Sequence, residues 1–357
     1  MGRRHGRGVM TPPWPCRRLQ ELLGMTHPIL QAPMAGAVGP EMASAVTAAG
    51  GLGGVPAGTV ADDRLVADLT AARALIDGPY NVNCFLHPAP PVPSAADIDL
   101  AARRLGELYR HVGADVPAPR NPLPRFEDPR LRTILDLRPA AASFHFGLPD
   151  AAAMDALHAA GIVLMASATT VDEAIDLVAR GVDVVIAQGA EAGGHRGGAG
   201  LVGTMALVPQ IVDAVEVPVV AAGGIADGRG VAAALALGAD GVQVGTALLR
   251  TAEATMNADQ RARLTRARAE DTVITRGVTG RPARGLRNRL TDDTEVAATA
   301  LAYPLQISMT QPIQADPELR AIWSGQTAPL ARDEAAGRTV ARLADEALTI
   351  MRGLAPG

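Results

Sequence analysis

Lysine is missing: the 33 permanently cationic side chains of this 357-residue chain are all arginine. Schiff-base aldol chemistry, pyridoxal phosphate attachment and a Walker A phosphate loop each need that amine, so all three are excluded. Aromatics are scarce at 3%, which leaves few platforms for stacking bases, and a formal net charge of −4 argues against a surface for phosphate backbones. No nucleic-acid partner is expected. The two cysteines, Cys16 and Cys84, are too few for a disulfide framework and lack metal-ligand spacing, so a cytoplasmic protein without a metal site is expected. Long hydrophobic runs are also lacking. Although 48% of the residues are hydrophobic, Gly, Pro or charge breaks each run well short of a membrane span, and a soluble protein follows.

The opening stretch MGRRHGRGVMTPPWPC is basic and carries a twin arginine, but no apolar segment follows it. It predicts a flexible leader over 1–18 rather than a secretion signal. Met1 and Met10 both fit as first residue, with CRRLQELLG the first ordered turn of helix. From there short apolar runs alternate with helical periodicity. HPILQAPMAG, LGGVPAG, YNVNCFL, AAASFHFG, GIVLMASAT, VDVVIAQG, VPVVAAGG and ADGVQVGT read as eight strands. GPEMASAVTAAG, ADDRLVADLTAARALI and SAADIDLAARRLGELYRHV read as the helices behind the first three. Between the fifth and sixth, TVDEAIDLVARGV has a threonine cap, an acidic first turn and a terminal Arg180-Gly181.

Near-continuous apolar strands alternating with helices predict a parallel sheet covered on its outer face, and eight units predict an α/β fold, a (β/α)8 TIM barrel over 19–251. An open doubly wound sheet would place its Gly-rich turn after the first strand, whereas glycine here is densest after strands six to eight. The Pro-rich stretch 113–128 reads as a surface insertion. Residues 252–330 lose the rhythm and predict a smaller, mostly helical lid or substrate lobe after strand 8. The last segment, 331–357, carries Val340, Leu343, Leu348 and Met351 near helical spacing and predicts a helix returning to the barrel wall.

Functional residues of such a barrel lie at the C-terminal strand ends, where the βα loops converge. Those ends carry Pro33 and Met34, Asn83, His145, Ser167, Gln188 with His195, Gly223 and Gly224, and Gln243, Val244, Gly245 and Thr246. Glycine-lined turns after strands seven and eight predict a phosphate grip, with Gly224, Gly245 and Thr246 as backbone donors. Tight turning alone explains one Gly-Gly pair; two adjacent strand ends favour phosphate. The amides of Asn83 and Gln188 suit the edge of a flavin pyrimidine ring as well as they suit capping loop backbone. His195 and His145 are histidines at strand ends, and an imidazole titrating near neutrality can take or give a proton. Glycines Gly193 and Gly194 beside His195 favour a loop folded over a ligand. Glu191 serves either to orient the imidazole or to cap a turn, and Arg196 reads equally as a solvated charge.

Taken in order, QAPMAG with AAGGLGGVPAG, then NVNCF, SFHFGLP, AQGAEAGGHRG, AAGGIADG, GVQVGTALL and TGRPARGLRN resemble the nitronate monooxygenase family, formerly 2-nitropropane dioxygenases, over residues 20 to 330. The resemblance implies FMN contacted by Asn83, Gln188, Gly193, Gly224 and Gln243 to Thr246. It also implies an active-site role for His195, with His145 nearby and Tyr303 reaching in from the lid. The implied reaction converts an alkyl nitronate, or a nitroalkane, and O2 into a carbonyl compound and nitrite. His195 would be either the base that removes the α-proton or the cation that holds the nitronate. The EAGGH loop is similar in FMN-dependent enoyl-acyl-carrier-protein reductases and some NADH:quinone reductases, where NAD(P)H would be the donor. A flavin- or phosphate-binding barrel without catalysis is the reading outside that class, and a homodimer is compatible with any of them.

Overall fold

A computed structural model describes residues 14–354. The choice between Met1 and Met10, and most of the expected leader, lie outside the described residues. Strands β1 (Ile29–Gln31), β2 (Gly53–Pro56), β3 (Tyr80–Phe85), β4 (Ala141–His145), β5 (Val163–Ala168), β6 (Val184–Gln188), β8 (Val219–Ala222) and β9 (Gly241–Val244) pair in parallel in the order β1-β9-β8-β6-β5-β4-β3-β2. Leu30 bridges Leu52, and Gln31 N–H donates to Leu52 O at 2.9 Å. Those contacts join β1 to β2 and close the ring, so the fold is the expected (β/α)8 barrel.

Its interior is divided by polarity. Leu30, Leu52, Ala141, Met165, Val184, Ile186 and Val220 pack with Leu19, Leu23 and Met25, so helix α1 (Arg18–Leu23) closes the N-terminal mouth with apolar side chains. Toward the other end Gln31, Asn81, Asn83, Ser143 and Gln188 are buried polar residues. Polar groups taken out of water need partners, so this layer is where a network or a ligand is required.

Outside the barrel, α7 (Val171–Ala179) starts as the sequence predicts, with Thr170 Oγ1 accepting from Glu173 N–H. The C-terminal helix, α13 (Ala336–Leu354), packs on α9 (Gly228–Ala236) and α2 (Pro40–Ala48), burying Val340, Leu343 and Leu348. One helix sits elsewhere than expected. α4 (Ala95–Val112) turns Leu105, Leu108 and Tyr109 toward Val278, Leu290, Val296, Leu301 and Met309, and Tyr109 Oη donates to Met309 O at 2.8 Å. The helix read as the third barrel helix therefore belongs to the core of the lobe. The wall position between α3 (Asp62–Leu75) and α6 (Ala151–Ala159) is filled by α5 (Asp128–Leu137), which follows the Pro-rich stretch.

Besides its short helices α10 (Ala258–Arg266), α11 (Thr294–Thr299) and α12 (Leu305–Thr310), the lobe carries a ribbon. β10 (Thr272–Thr275) pairs antiparallel with β11 (Ala283–Leu286), and β11 pairs with β7 (Gly194–His195), placing Ala283 opposite His195. The loop after β6 is thus a strand of the lobe's sheet. No described helix is long and apolar enough to cross a membrane.

Candidate active site

The glycine-rich loop that follows β6 is braced from every side. Gln188 Nε2 donates to His195 O at 3.0 Å while its Oε1 accepts from Gly197 N–H at 2.8 Å. The amide thus caps the loop backbone, one of the two readings open to it. Arg196 is 1% exposed, not solvated: Nη1 donates to Gly189 O at 2.7 Å, and Nη2 to Gln188 O at 2.7 Å and Gly200 O at 3.2 Å. Glu191 settles as a cap, accepting from the N–H and hydroxyl of Thr204 at the start of α8 (Thr204–Val212), both at 2.9 Å on Oε2. Glu173 holds the far end, accepting from Thr169 N–H at 2.6 Å and Ala199 N–H at 3.2 Å. Preorganisation replaces the flexibility that six glycines suggest.

The other strand ends assemble around this loop. Asn83 donates through Nδ2 to Ser143 Oγ at 2.9 Å, and Asn81 donates to the same hydroxyl at 2.9 Å. After β8 the chain turns through Gly223 at φ +106° and Gly224 at φ +73°, left-handed conformations that glycine adopts without cost. Ala32 N–H donates to Val244 O at 2.8 Å, so Pro33 and Met34 lie beside the Gln243–Gly245 end of β9, with Met34 next to Gly245. Thr246 begins a single 3-10 turn and accepts from Gly325 N–H at 2.8 Å, which ties the lobe to the barrel rim.

His145 and His195 are both brought to this centre. His145 Nε2 faces His195 O at 3.1 Å, and a carbonyl can only accept, so Nε2 carries the proton and Nδ1 accepts from the Ser167 hydroxyl at 3.1 Å. His195 Nε2 lies 3.0 Å from Thr279 Oγ1, whose own proton goes to Arg281 O at 3.1 Å. In that network His195 donates through Nε2, and Nδ1 is its basic nitrogen. Burial pushes the His195 pKa down to about 3, helped by the facing His145 and Arg281. Burial likewise takes His145 to about 4, against the pull of the His195 carbonyl and with help from Arg281 and Arg196. Both imidazoles are neutral at physiological pH.

Rings enclose the pair. Tyr303 is 8% exposed, its ring centroid is 5.5 Å from that of His195, and its hydroxyl is buried with no hydrogen-bond partner. Phe146 touches nearly everything: its centroid is 4.6 Å from His145, 5.6 Å from His195, 5.3 Å from Tyr303 and 4.9 Å from Phe85. His87 stands edge-on to Tyr303 at 5.2 Å.

A profile of the nitronate monooxygenase family matches residues 17–346. The chain belongs to this family. A nitronate monooxygenase of Pseudomonas aeruginosa is 41% identical over 349 residues, covering 92% of this chain and 98% of that protein. A nitroalkane oxidase from Streptomyces ansochromogenes has a solved structure with TM-score 0.86 at 37% identity, covering 95% of this chain and all of the other. FabK from Thermotoga maritima is more distant, with TM-score 0.73 at 27% identity over 94% of this chain and 97% of its own.

In this nitronate monooxygenase family member, sequence reasoning missed Phe146, Ser143, Arg281 and the buried role of Arg196. Arg281 lies within TGRPARGLRN and Phe146 within SFHFGLP, so the signal was their adjacency to site motifs. Gly193 supports the lobe. A Cβ there would lie 2.4 Å from Gly325 N and 2.6 Å from Ser324 C, both backbone atoms that cannot yield. Gly193→Ala is expected to loosen the 324–325 contact, making the lobe an early target of limited proteolysis while the barrel stays folded; unchanged protease sensitivity would show that the docking tolerates the methyl.

Proposed function

We propose that this chain oxidises alkyl nitronates, and nitroalkanes after proton removal, with FMN and O2, giving a carbonyl compound and nitrite. The observation that carries the reading is a half-buried His195 on a braced loop, its Nδ1 left open by the Thr279 contact, facing Tyr303 with its unpartnered hydroxyl. The residues present fit the cofactor. Left-handed Gly223 and Gly224, with Gly245 and the turn opening at Thr246, would offer backbone N–H groups for its phosphate; Asn83, Gln188, Gly193, Gly194 and Gln243 would hold the ring and Pro33 and Met34 the rim, while Val244, whose side chain is buried in the helix-side core, could contribute only its backbone. Bound FMN supplies the electron acceptor that no side chain here provides, and O2 restores it.

The protein's own part is binding, orientation and one proton. His195 Nδ1 takes the α-proton of a neutral nitroalkane, because a base must be unprotonated to act. Burial, His145 and Arg281 all hold the His195 pKa down, which favours this role over that of a cation holding the nitronate. Tyr303 O–H donates to a substrate oxygen, which satisfies a group that burial otherwise leaves at a cost. The Phe146 ring packs against both. In this reading residues 19–251 form the cofactor barrel and 252–330 the substrate-side lobe, to which α4 adds its apolar face.

The likeness to FabK makes reduction by NADH the competing outcome. Anaerobic mixing of the holoprotein with ethylnitronate, or separately with NADH, distinguishes them through the flavin absorbance. Rapid bleaching by ethylnitronate is the expected result. Bleaching by NADH alone would transfer the chain to a reductase role, and bleaching by neither would leave a binding barrel.

A further inference from the structure

Arg281 is the cation of the centre. Its guanidinium carbon lies 4.1 Å from the centroid of the Phe146 ring. Nη2 donates to Gly197 O at 3.0 Å and Nε to Arg196 O at 3.4 Å, so two carbonyls of the braced loop fix the fork. Phe146, beneath it, holds φ +78°, a left-handed conformation that a bulky side chain rarely adopts. Such an outlier marks a ring placed for a purpose. The partner that would neutralise the fork is missing. Among the described residues the carboxylate that acts on Arg281 is Glu173, whose oxygens are already engaged by Thr169 and Ala199. A half-buried charge without an ion-pair partner calls for an anion. The surrounding groups all feel it: burial lowers the pKa of His87, His145 and His195 and raises that of Tyr303, and the Arg281 charge pulls all four down.

We propose that Arg281, laid on Phe146 and held by the carbonyls of residues 196 and 197, is the anion-binding residue of the site and takes the nitro-group oxygens of a nitronate. The assignment rests on the nitronate-oxidising reading above. A planar guanidinium matches two oxygens carried on one atom, which a point charge does not. Division of labour follows: Arg281 binds the charge, and His195 stays neutral for the proton. Phe146 is a positioning residue, since it acts through the guanidinium it supports.

The test uses the holoprotein with ethylnitronate and nitroethane, which differ by one proton, and with nitrite as an unreactive anion titrated by calorimetry. Arg281→Gln is expected to raise the KM for ethylnitronate and the Kd for nitrite by roughly 10- to 100-fold, the scale of a charge-assisted hydrogen bond. The KM for nitroethane should move less than a tenth as far. Arg281→Lys should recover part of the nitrite affinity, and Phe146→Leu should weaken nitrite binding with the charge retained. An unchanged nitrite Kd in Arg281→Gln, or equal KM increases for both substrates, would overturn the assignment. If the glutamine variant does not fold, the lysine and leucine variants decide by the same titration. Wild-type protein that binds nitrite but does not oxidise ethylnitronate would refute the nitronate reading and leave the anion site standing.

Discussion

Replacing His195 by asparagine is expected to slow turnover of a neutral nitroalkane by about 10²-fold or more, while a preformed nitronate is affected far less. The difference between the substrates is the α-proton, and His195 Nδ1 is the basic nitrogen that the Thr279 contact leaves open. The pH profile carries a second signature. With the His195 pKa pushed down to about 3 by burial, by His145 and by Arg281, the base form persists on acidification, so kcat/KM for nitroethane should stay flat from pH 8 to about 5. A fall centred near 6.5 would mean a hydrated imidazole and a different electrostatic centre. Equal losses on both substrates in His195→Asn would remove the proton-transfer role.

Linkage gives the same histidines an effect on stability. Their folded-state values, about 3 for His195 and about 4 for His145, lie below the unfolded value near 6.5. The unfolded chain therefore takes up protons first as pH falls. Stability is full above about 6.5 and declines below it, by about 1.4 kcal/mol per pH unit for each imidazole, until the folded-state values are reached. Urea midpoints measured from pH 7 to 5 should fall accordingly, and the slope should lessen in His145→Asn.

The barrel was legible because its signal is local. Each strand announces itself by a short apolar run, each helix by periodicity and caps such as Thr170, and neither depends on distant partners. The placement of α4 was not legible for the converse reason. Its apolar stripe says that one face is buried but not against what, and the answer, Met309 and its neighbours, lies 200 residues away from Tyr109. The active centre divides the same way. His145, His195 and the glycine turns stand at strand ends and could be read in order, whereas Arg281 reaches Gly197 across 84 positions and Phe146 owes its role to a backbone angle. Gln188 is legible only in part. Its amide was recognised as a polar group needing partners, but the loop that supplies them is its own, seven and nine residues on.

Arg196→Met should be among the most disruptive single changes outside the reacting residues. The wild-type guanidinium is almost wholly buried and joins the carbonyls of Gln188, Gly189 and Gly200, which bridge the beginning and end of the loop carrying His195. Methionine matches the stem but leaves those acceptors without donors, and charge-assisted bonds of this kind sum to roughly 3–5 kcal/mol. Burial lowers the Arg196 pKa only to about 10, so the bonds are made by a cation throughout the physiological range. Lysine keeps the charge but reaches one carbonyl at a time, so Arg196→Lys should recover a minor part of the loss. The loss should be local before it is global: hydrogen exchange at residues 189–200 should accelerate while β3 to β5 remain protected, and kcat should fall with His195 no longer fixed by its neighbours. Uniform acceleration across the barrel would instead make Arg196 a general stabiliser, and unchanged exchange in the loop would mean that Gln188, Glu173 and Glu191 hold it without the guanidinium.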